Sequence, residues 1–209
     1  MKYLSFFTAL ILFITGCGHP QGSLRYYKVS YSQNSYVFFE TTLEGLEYRS
    51  ENVVRGRIAG DFKIISQYTN PFHRTEPSYS CTSVSLEILE VIKGDLRAGD
   101  TIRIIEPYVI EKGVLFTTGN YLPSRPGQEY FFFLDGLFDR YFDGDVTEEY
   151  IEFAGHYFVL HDERGRYLVP DSGTRTQDFT RAELSLGEDS IDLYMRLYEE
   201  VVNAYMRRS

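Results

Sequence analysis

Three carboxylates in one acidic stretch have a spacing that suits a metal ion. Asp139, Asp143 and Asp145 lie around the glycine at position 144, and two glutamates follow closely. Oxygen ligands at short intervals around a glycine turn are typical of calcium-binding loops. However, tyrosines stand at the third and twelfth positions, where such a loop needs oxygen ligands, so a solvated acidic loop is the alternative. We therefore treat these three aspartates as a candidate calcium site, and we expect no other cofactor.

Nucleophilic catalysis has little support in the sequence. Neither a Gly-x-Ser-x-Gly elbow nor a Ser-x-x-Lys motif occurs, and the one thiol–imidazole pair to consider is Cys81 with His73, across a proline-bearing loop. A buried, inert Cys81 is the favoured reading. His156 and His161 lie five apart on an apparent strand, so they point to opposite faces and do not share an ion. We expect no catalytic residues among these groups.

A β-hairpin over residues 81–107 is the clearest element that must position these side chains. Val84, Leu86 and Ile88 alternate with polar residues, which predicts a strand with one buried face. The apolar positions then change parity, which predicts a β-bulge near Ile88 and Leu89. Glycines at 94 and 99 supply two tight turns, and residues 101–105 form the return strand.

The rest of the chain continues this β character until its end. Short strands are predicted at residues 26–31, 36–39, 53–58, 62–68, 108–110, 114–118, 129–134, 150–153, 156–161 and 166–169. Thr41 and Glu44 form a capping box for a brief helix. Apolar residues at 194, 198, 201 and 205 have helical spacing, and this predicts an amphipathic helix that covers one open end of the sheet. The fold class is therefore mostly β, an antiparallel β-barrel or sandwich with a short N-terminal helix and a C-terminal amphipathic helix.

The first residues indicate where the protein is found. A basic residue at position 2 and an apolar run over residues 6–14 form a segment too short to span a membrane. The sequence Ile14-Thr15-Gly16-Cys17 resembles the lipobox of bacterial lipoproteins. This resemblance implies cleavage before Cys17 and lipidation of its thiol, so that the protein is held at the extracytoplasmic face of the cell membrane. An ordinary cysteine behind a transmembrane anchor is the alternative.

Composition limits the partners. The formal net charge of the chain is −9, and removal of residues 1–16 makes the remainder one unit more negative. Such a surface repels phosphate backbones, so nucleic acid is not an expected partner. The sequence has two cysteines, and lipidation of one excludes an internal disulfide. The 18 tyrosines and 16 phenylalanines favour a core and sheet-edge role over stacking on sugars.

Several motifs resemble a group of exported bacterial proteins that carry a small β-barrel. The residues that match are Val53-Val54-Arg55-Gly56, Val91-Ile92-Lys93-Gly94-Asp95-Leu96, Gly99-Asp100-Thr101-Ile102 and the stretch from Pro126 to Leu134. The resemblance covers residues 43–134 and implies an OB-like or netrin-like barrel, often lipid-anchored. It implies no catalytic residue. Tyr108-Val109-Ile110 stands where the group has glycines.

Together these observations predict a domain order and a function. Residues 1–16 are the signal peptide, 17–23 a lipidated tether, 24–180 the β domain and 181–209 a helix packed on it. We expect a membrane-anchored lipoprotein of the cell envelope with a non-enzymatic binding or structural role, whose partner is an envelope protein or the cell wall. The alternative is an envelope hydrolase or metal-dependent enzyme that uses the acidic loop 135–152.

Overall fold

The computed structural model describes residues 28–32, 41–67, 77, 79–118, 121–137, 152–160, 162–170 and 191–206. These residues form mostly strands, with a short N-terminal helix and a longer C-terminal one, so the predicted fold class is confirmed. In chain order the elements are β1 (Lys28–Ser32), α1 (Leu43–Arg49), β2 (Asn52–Gln67), β3 (Tyr79–Lys93), β4 (Thr101–Glu106), β5 (Tyr108–Glu111), β6 (Val114–Thr118), β7 (Glu129–Leu137), β8 (His156–Val159), a 3-10 helix (Asp162–Gly165), β9 (Arg166–Leu168) and α2 (Ile191–Tyr205).

The main sheet closes on itself through a ring of strand pairings. β2 pairs with β3, β3 with β4, β4 with β8, β8 with β7, and β7 with β2. β9 pairs with β7 beside β8. All these pairings are antiparallel except β4–β8, which is parallel. A parallel pair needs a long connection, and here the chain passes through β5, β6 and β7 before it returns.

The β2–β3 hairpin is longer than the sequence pattern predicted. Residues 53–58 and 62–68 were expected as two strands, but β2 runs without interruption through Gly60 and Asp61. Both residues have positive φ, +90° and +58°, and the pairing register shifts on each side of Gly60. The two predicted strands are thus one strand with an irregular kink, because a bulge bends a strand without ending it.

The predicted bulge in β3 is confirmed. Arg55 pairs with Glu90 and Gly56 with Ile88, which leaves Leu89 as the extra residue. Ile88 is buried and Val91 packs against the core, so both halves of the strand face the same interior. Leu89 itself is only partly buried.

The interior of the ring is built from alternate residues of its strands, as a period of two requires. Val54, Ile58, Val84, Leu86, Ile104, Phe132 and Leu134 are each at most 1% exposed. β7 is buried on both faces from Tyr130 to Leu134, as its continuous apolar run predicted. Full burial of such side chains contributes roughly 1.5–3 kcal/mol each.

Helix α1 begins one residue later than predicted. Its N-cap is Thr42, whose hydroxyl accepts a hydrogen bond from Gly45 N at 3.1 Å, rather than Thr41. At the other end of the helix, Lys93 Nζ donates to the carbonyl oxygens of Glu47 at 2.5 Å and Ser50 at 2.6 Å. A cation there is favourable because the carbonyls of the last turn are unsatisfied within the helix.

Helix α2 packs on the outward face of β7 and β9. The Phe131 and Tyr205 rings lie 5.3 Å apart, and the Tyr167 and Tyr194 rings 5.1 Å apart. Phe131 alternates with the inward-facing Phe132, so the helix covers a face of the sheet and not the open end that the sequence suggested. Tyr205 also donates to Glu47 of α1 at 2.7 Å, which joins the two helices.

A second, smaller sheet lies beside the ring. β5 and β6 form the predicted hairpin, with Lys112 and Gly113 at positive φ in its turn, as a tight two-residue turn requires. β1 pairs in parallel with β6. None of the described helices is long and apolar enough to span a membrane.

Candidate functional site

A serine, a histidine and an arginine meet on the outward face of β3, β4 and β8. Ser83 Oγ lies 2.7 Å from His156 Nε2. Arg103 Nε donates to the same Ser83 oxygen at 2.9 Å. The sheet register brings them together, because Ser83 is two residues from Ser85, which pairs with Arg103, and Arg103 in turn pairs with His156. We call these three residues the Ser–His–Arg cluster.

The kink in β2 completes the hydrogen-bonding of Arg103. Its Nη1 donates to the Asp61 carboxylate and to Ser85 Oγ at 2.8 Å. Asp61 holds φ at +58°, a region that aspartate tolerates better than most residues. The irregular backbone at Gly60 and Asp61 thus places a carboxylate against the arginine.

The surroundings of His156 determine which ring nitrogen carries its proton. Nδ1 faces two acceptors, the carbonyl oxygens of Ala154 at 2.9 Å and Phe153 at 3.1 Å. Nδ1 therefore carries the hydrogen, and neutral Nε2 accepts from the Ser83 hydroxyl. Burial lowers the pKa of His156, and Arg103 and Lys63 lower it further, against the two backbone hydrogen bonds that raise it. The ring is neutral at pH 7.

A hydroxyl that donates to an imidazole oriented by a carbonyl is the arrangement found at activated serines. Here Ser83 is fully buried, at 0% exposure. Its O–H donates to His156 and its oxygen accepts from Arg103, so both hydrogen bonds are made within the protein. The cluster therefore ties β3, β4 and β8 together and does not present a nucleophile to solvent.

A second polar cluster fills one end of the ring interior. Glu106 and Arg166 are 0% and 1% exposed and form an ion pair at 3.1 Å. The same carboxylate oxygen accepts from the hydroxyls of Tyr121, at 2.5 Å, and Ser124. Arg166 also donates to the Leu122 carbonyl at 2.8 Å. These hydrogen bonds are what a buried ion pair needs to offset its desolvation.

Arg166 lies between two aromatic rings as well. Its guanidinium carbon is 4.1 Å from the centre of the Tyr121 ring and 5.4 Å from that of Tyr130, a cation–π geometry. Burial alone would lower the pKa of Arg166, but Tyr121 and Glu106 raise it above the ordinary value, so the residue stays charged. Burial raises the pKa of Tyr121 well above its usual range. The contacts of this cluster join β4, β9 and residues 121–124 and stabilise their arrangement.

Cys81 is buried in this structure. It packs in a small cluster with Ile65, Ile105 and Phe153, and Phe158 lies against it. Burial, with a smaller effect of Glu152, raises the pKa of the thiol to about 12. A thiol with this pKa is almost wholly protonated at neutral pH and is a poor nucleophile, in agreement with the expected inert role.

Charged side chains on the outward face of β2, β3 and β7 form a ladder. Glu129 accepts from Arg55 at 2.7 and 2.9 Å and from Arg57 at 2.6 Å. Arg57 reaches Glu87 at 3.3 Å. Partial burial would raise the pKa of Glu129, but the hydrogen bonds from Arg57 and Arg55 outweigh it and lower the pKa. Cross-strand pairs of this kind favour the observed register.

The sequence-predicted ligands and anchor lie outside the described part of the chain. These residues are Cys17, His73, Asp139, Asp143, Asp145 and His161. Among the described residues, no group of three or more His, Cys, Asp or Glu side chains is placed to hold a metal ion. The calcium site and the lipidated cysteine therefore stay predictions.

Sequence reasoning did not identify the residues that the structure brings together. Ser83 and Ser85 were recognised only as the polar face of a strand, and His156 only as a strand-end residue. The hairpin register could have placed Arg103 near both serines. His156 could not have been placed, because its pairing with β4 is parallel and distant in sequence.

The fold and its clusters define a mostly β domain with a six-stranded sheet and a helix packed on its outward face. No model of a known protein family matches the chain, and no curated protein has a significantly similar sequence.

Proposed function

We propose that this protein is a lipoprotein of the bacterial cell envelope, anchored through Cys17 at the extracytoplasmic face of the membrane, with a non-enzymatic binding or structural role. The observation that carries the proposal is the order of residues at the N-terminus. A basic start, a short apolar run and Ile14-Thr15-Gly16-Cys17 have the features of a signal that ends in a lipidated cysteine. Two or three acyl chains give stable anchoring where one gives only reversible binding.

The position of the first described strand agrees with a membrane-proximal domain. β1 begins at Lys28, and a chain reaches at most about 3.6 Å per residue. The segment from Cys17 to Lys28 therefore spans at most about 40 Å when fully extended. The β domain then works close to the membrane surface, within reach of envelope partners.

A binding role fits the described surface better than catalysis. The two candidate nucleophiles among the described clusters, Ser83 and Cys81, are both fully buried. By contrast, Phe62 and Ile64 on the kinked part of β2 are 42% and 46% exposed. Large apolar side chains exposed side by side are typical of surfaces that contact another macromolecule.

The test is membrane partitioning and intact mass of the wild-type protein beside two cysteine variants. Wild type and Cys81→Ala should fractionate with membranes and carry a lipid mass, whereas Cys17→Ala should carry none and leave the membrane fraction. Cys81→Ala is the matched control, since it removes a cysteine without touching the anchor. Identical behaviour of wild type and Cys17→Ala would refute the anchor and, with it, the compartment.

The acidic loop supports a second candidate function. Asp139, Asp143 and Asp145 offer carboxylates to a divalent cation, which is what a metal-dependent envelope enzyme using residues 135–152 would require. The binding role remains the stronger proposal, because the candidate loop has tyrosines where two oxygen ligands belong.

A further inference from the structure

The pairing of β4 with β8 is a short closing seam in the ring. Only three register pairs hold it: Arg103 with His156, Ile104 with Tyr157, and Ile105 with Phe158. By comparison, β2 and β3 pair along almost their whole lengths. β8 pairs with its other neighbour, β7, at only two register positions, so β8 is the most weakly paired strand of the ring. Local opening draws on regions with few contacts, and the β4–β8 seam lies along this strand.

His156 closes the seam only while its ring is neutral. Nδ1 already donates to the backbone carbonyls of Phe153 and Ala154, so a second proton must bind at Nε2. There it would face Ser83 Oγ, which already accepts from Arg103 Nε. The Ser83 hydrogen would lose its acceptor in a fully buried position, at the usual cost of an unsatisfied polar group.

The charged groups around His156 also oppose a positive ring. Arg103 on β4 is its register partner, and Lys63 on β2 pairs with Ser83. Both lower the pKa of His156, in addition to the larger effect of burial. The nearby carboxylates have other partners, since Asp61 holds Arg103 and Glu152 accepts from Ser66 N at 2.8 Å. β8 has no other titratable side chain near the seam except the phenol of Tyr157, which faces inward.

The seam covers Cys81. Ile105 and Phe158, which pair across it, both belong to the cluster around the thiol. Phe153, whose carbonyl accepts from His156 Nδ1, packs on the same thiol. His156 therefore holds both the strand and the preceding turn that keep Cys81 at 0% exposure.

We propose that the β4–β8 seam is an acid-sensitive latch, which opens when His156 gains a proton and thereby exposes Cys81. This goes beyond the anchoring and binding role, because it gives an exported domain a conformational response to the pH of its surroundings. The open state carries His156 with an ordinary pKa near 6.5, and the closed state disfavours the proton.

The difference in proton binding by His156 between the open and closed states determines how strongly pH changes the opening equilibrium. Above pH 6.5 the ring of His156 is neutral in both states, and the closed state has its full stability. As the pH falls below 6.5, the open state gains a proton more readily, and the equilibrium constant for opening rises by up to tenfold per pH unit. Between pH 7.5 and 5.5 the open population therefore rises about tenfold if the closed state binds no proton in that range.

The experiment measures Cys81 modification by 4,4′-dithiodipyridine, a disulfide that reacts in mild acid, on the full chain carrying Cys17→Ser. Each rate is divided by that of the urea-unfolded chain at the same pH, which removes the intrinsic dependence of the thiol. We expect this normalised rate to rise from pH 7.5 to 5.5, by up to about tenfold. In His156→Gln, whose amide oxygen can still accept from Ser83 but does not titrate, it should stay flat.

Three outcomes would overturn the latch. The first is a flat rate in the parent chain, and the second is an equal rise in His156→Gln. The third is a steep increase of the rate with low urea, since this would show that global unfolding, and not a small seam, exposes the thiol. If His156→Gln does not fold, Lys63→Gln at an exposed position serves instead. Loss of this positive charge makes protonation of His156 in the closed state easier, so the rise should be no larger than in the parent chain, and a larger rise rejects the proposal.

Discussion

The buried pair of Glu106 and Arg166 shows how a single charged residue determines local structure. Glu106 continues the inward-facing alternation of Val84 and Ile104 across β3 and β4, where an apolar residue would be expected. It is accommodated because Tyr121, Ser124 and Arg166 all contact the same carboxylate oxygen. A buried ion pair of this kind adds little net stability, but removal of one partner is costly.

We therefore expect Glu106→Gln to destabilise the protein by about 3–5 kcal/mol, since Arg166 would keep its charge in the interior without a counter-ion. Urea unfolding followed by tyrosine fluorescence or circular dichroism measures this as a lower midpoint. Glu87→Gln is the matched control, because Glu87 meets Arg57 at the surface and its loss should leave the midpoint almost unchanged. Equal midpoints for the two variants would contradict this account.

At the scale of elements, the stability of the β3–β4 hairpin depends on the contact between its connecting residues, 94–100, and the start of β2. Gly94 has φ +98°, and a Cβ there would lie 2.1 Å from Asn52 Oδ1. That oxygen accepts a hydrogen bond from Asp95 N at 3.1 Å. Gly99, in the second turn of the same connection, has φ +91° with nothing within 4 Å of its Cβ position.

These two glycines allow steric contact to be separated from backbone strain. Both alanine variants place a residue with a Cβ at a positive φ, which destabilises the protein by roughly 1–2 kcal/mol. Gly94→Ala in addition displaces Asn52 from Asp95. We expect Gly94→Ala to be about 1–3 kcal/mol less stable than Gly99→Ala, as measured by denaturant titration. A lower stability of Gly99→Ala than of Gly94→Ala would contradict a role for the contact between Gly94 and Asn52.

Local patterns were sufficient to predict the elements whose contacts are local. The hairpin, the bulge at Leu89, the continuous strand at β7 and helix α2 follow from periodicity and turn residues within a short window. The ring closure could not be predicted in this way, because β4 finds β8 only after three further strands. For the same reason the Ser–His–Arg cluster and the Glu106–Arg166 pair were missed. Each joins residues that are far apart in the sequence, and their spacing along the chain does not predict that they are in contact.

At the scale of the whole molecule, the excess of negative charge should make stability respond to cations. The chain carries a net charge of −9, and three of its carboxylates, Asp139, Asp143 and Asp145, form the candidate calcium loop. A site of the affinity usual for extracellular modules, with Kd about 10⁻⁴–10⁻³ M, would be occupied in about 10 mM calcium. Binding to the folded state alone then adds roughly 1.4–2.7 kcal/mol.

We expect calcium at about 10 mM to raise the melting temperature by roughly 3–10 °C, measured by differential scanning calorimetry. Magnesium at the same concentration controls for general screening of the negative surface, and the variant with all three aspartates changed to asparagine controls for the site. A melt that calcium leaves unchanged, or that magnesium raises equally, removes the calcium site from consideration.

The parallel pairing of β4 with β8 also constrains the order in which the domain is assembled. If the protein is exported as we propose and crosses the membrane N-terminus first, β2, β3 and β4 are delivered early, and these strands pair through local hairpins. The second edge of β4 then stays open until residues 156–159 have crossed, because no earlier strand of the ring can occupy it. Non-local pairings of this kind form slowly, and an open edge is a template for pairing with the wrong chain. During the export that we propose, the stretch of the protein most in need of protection is therefore the edge of Thr101–Glu106, for as long as its partner strand is still on the other side of the membrane.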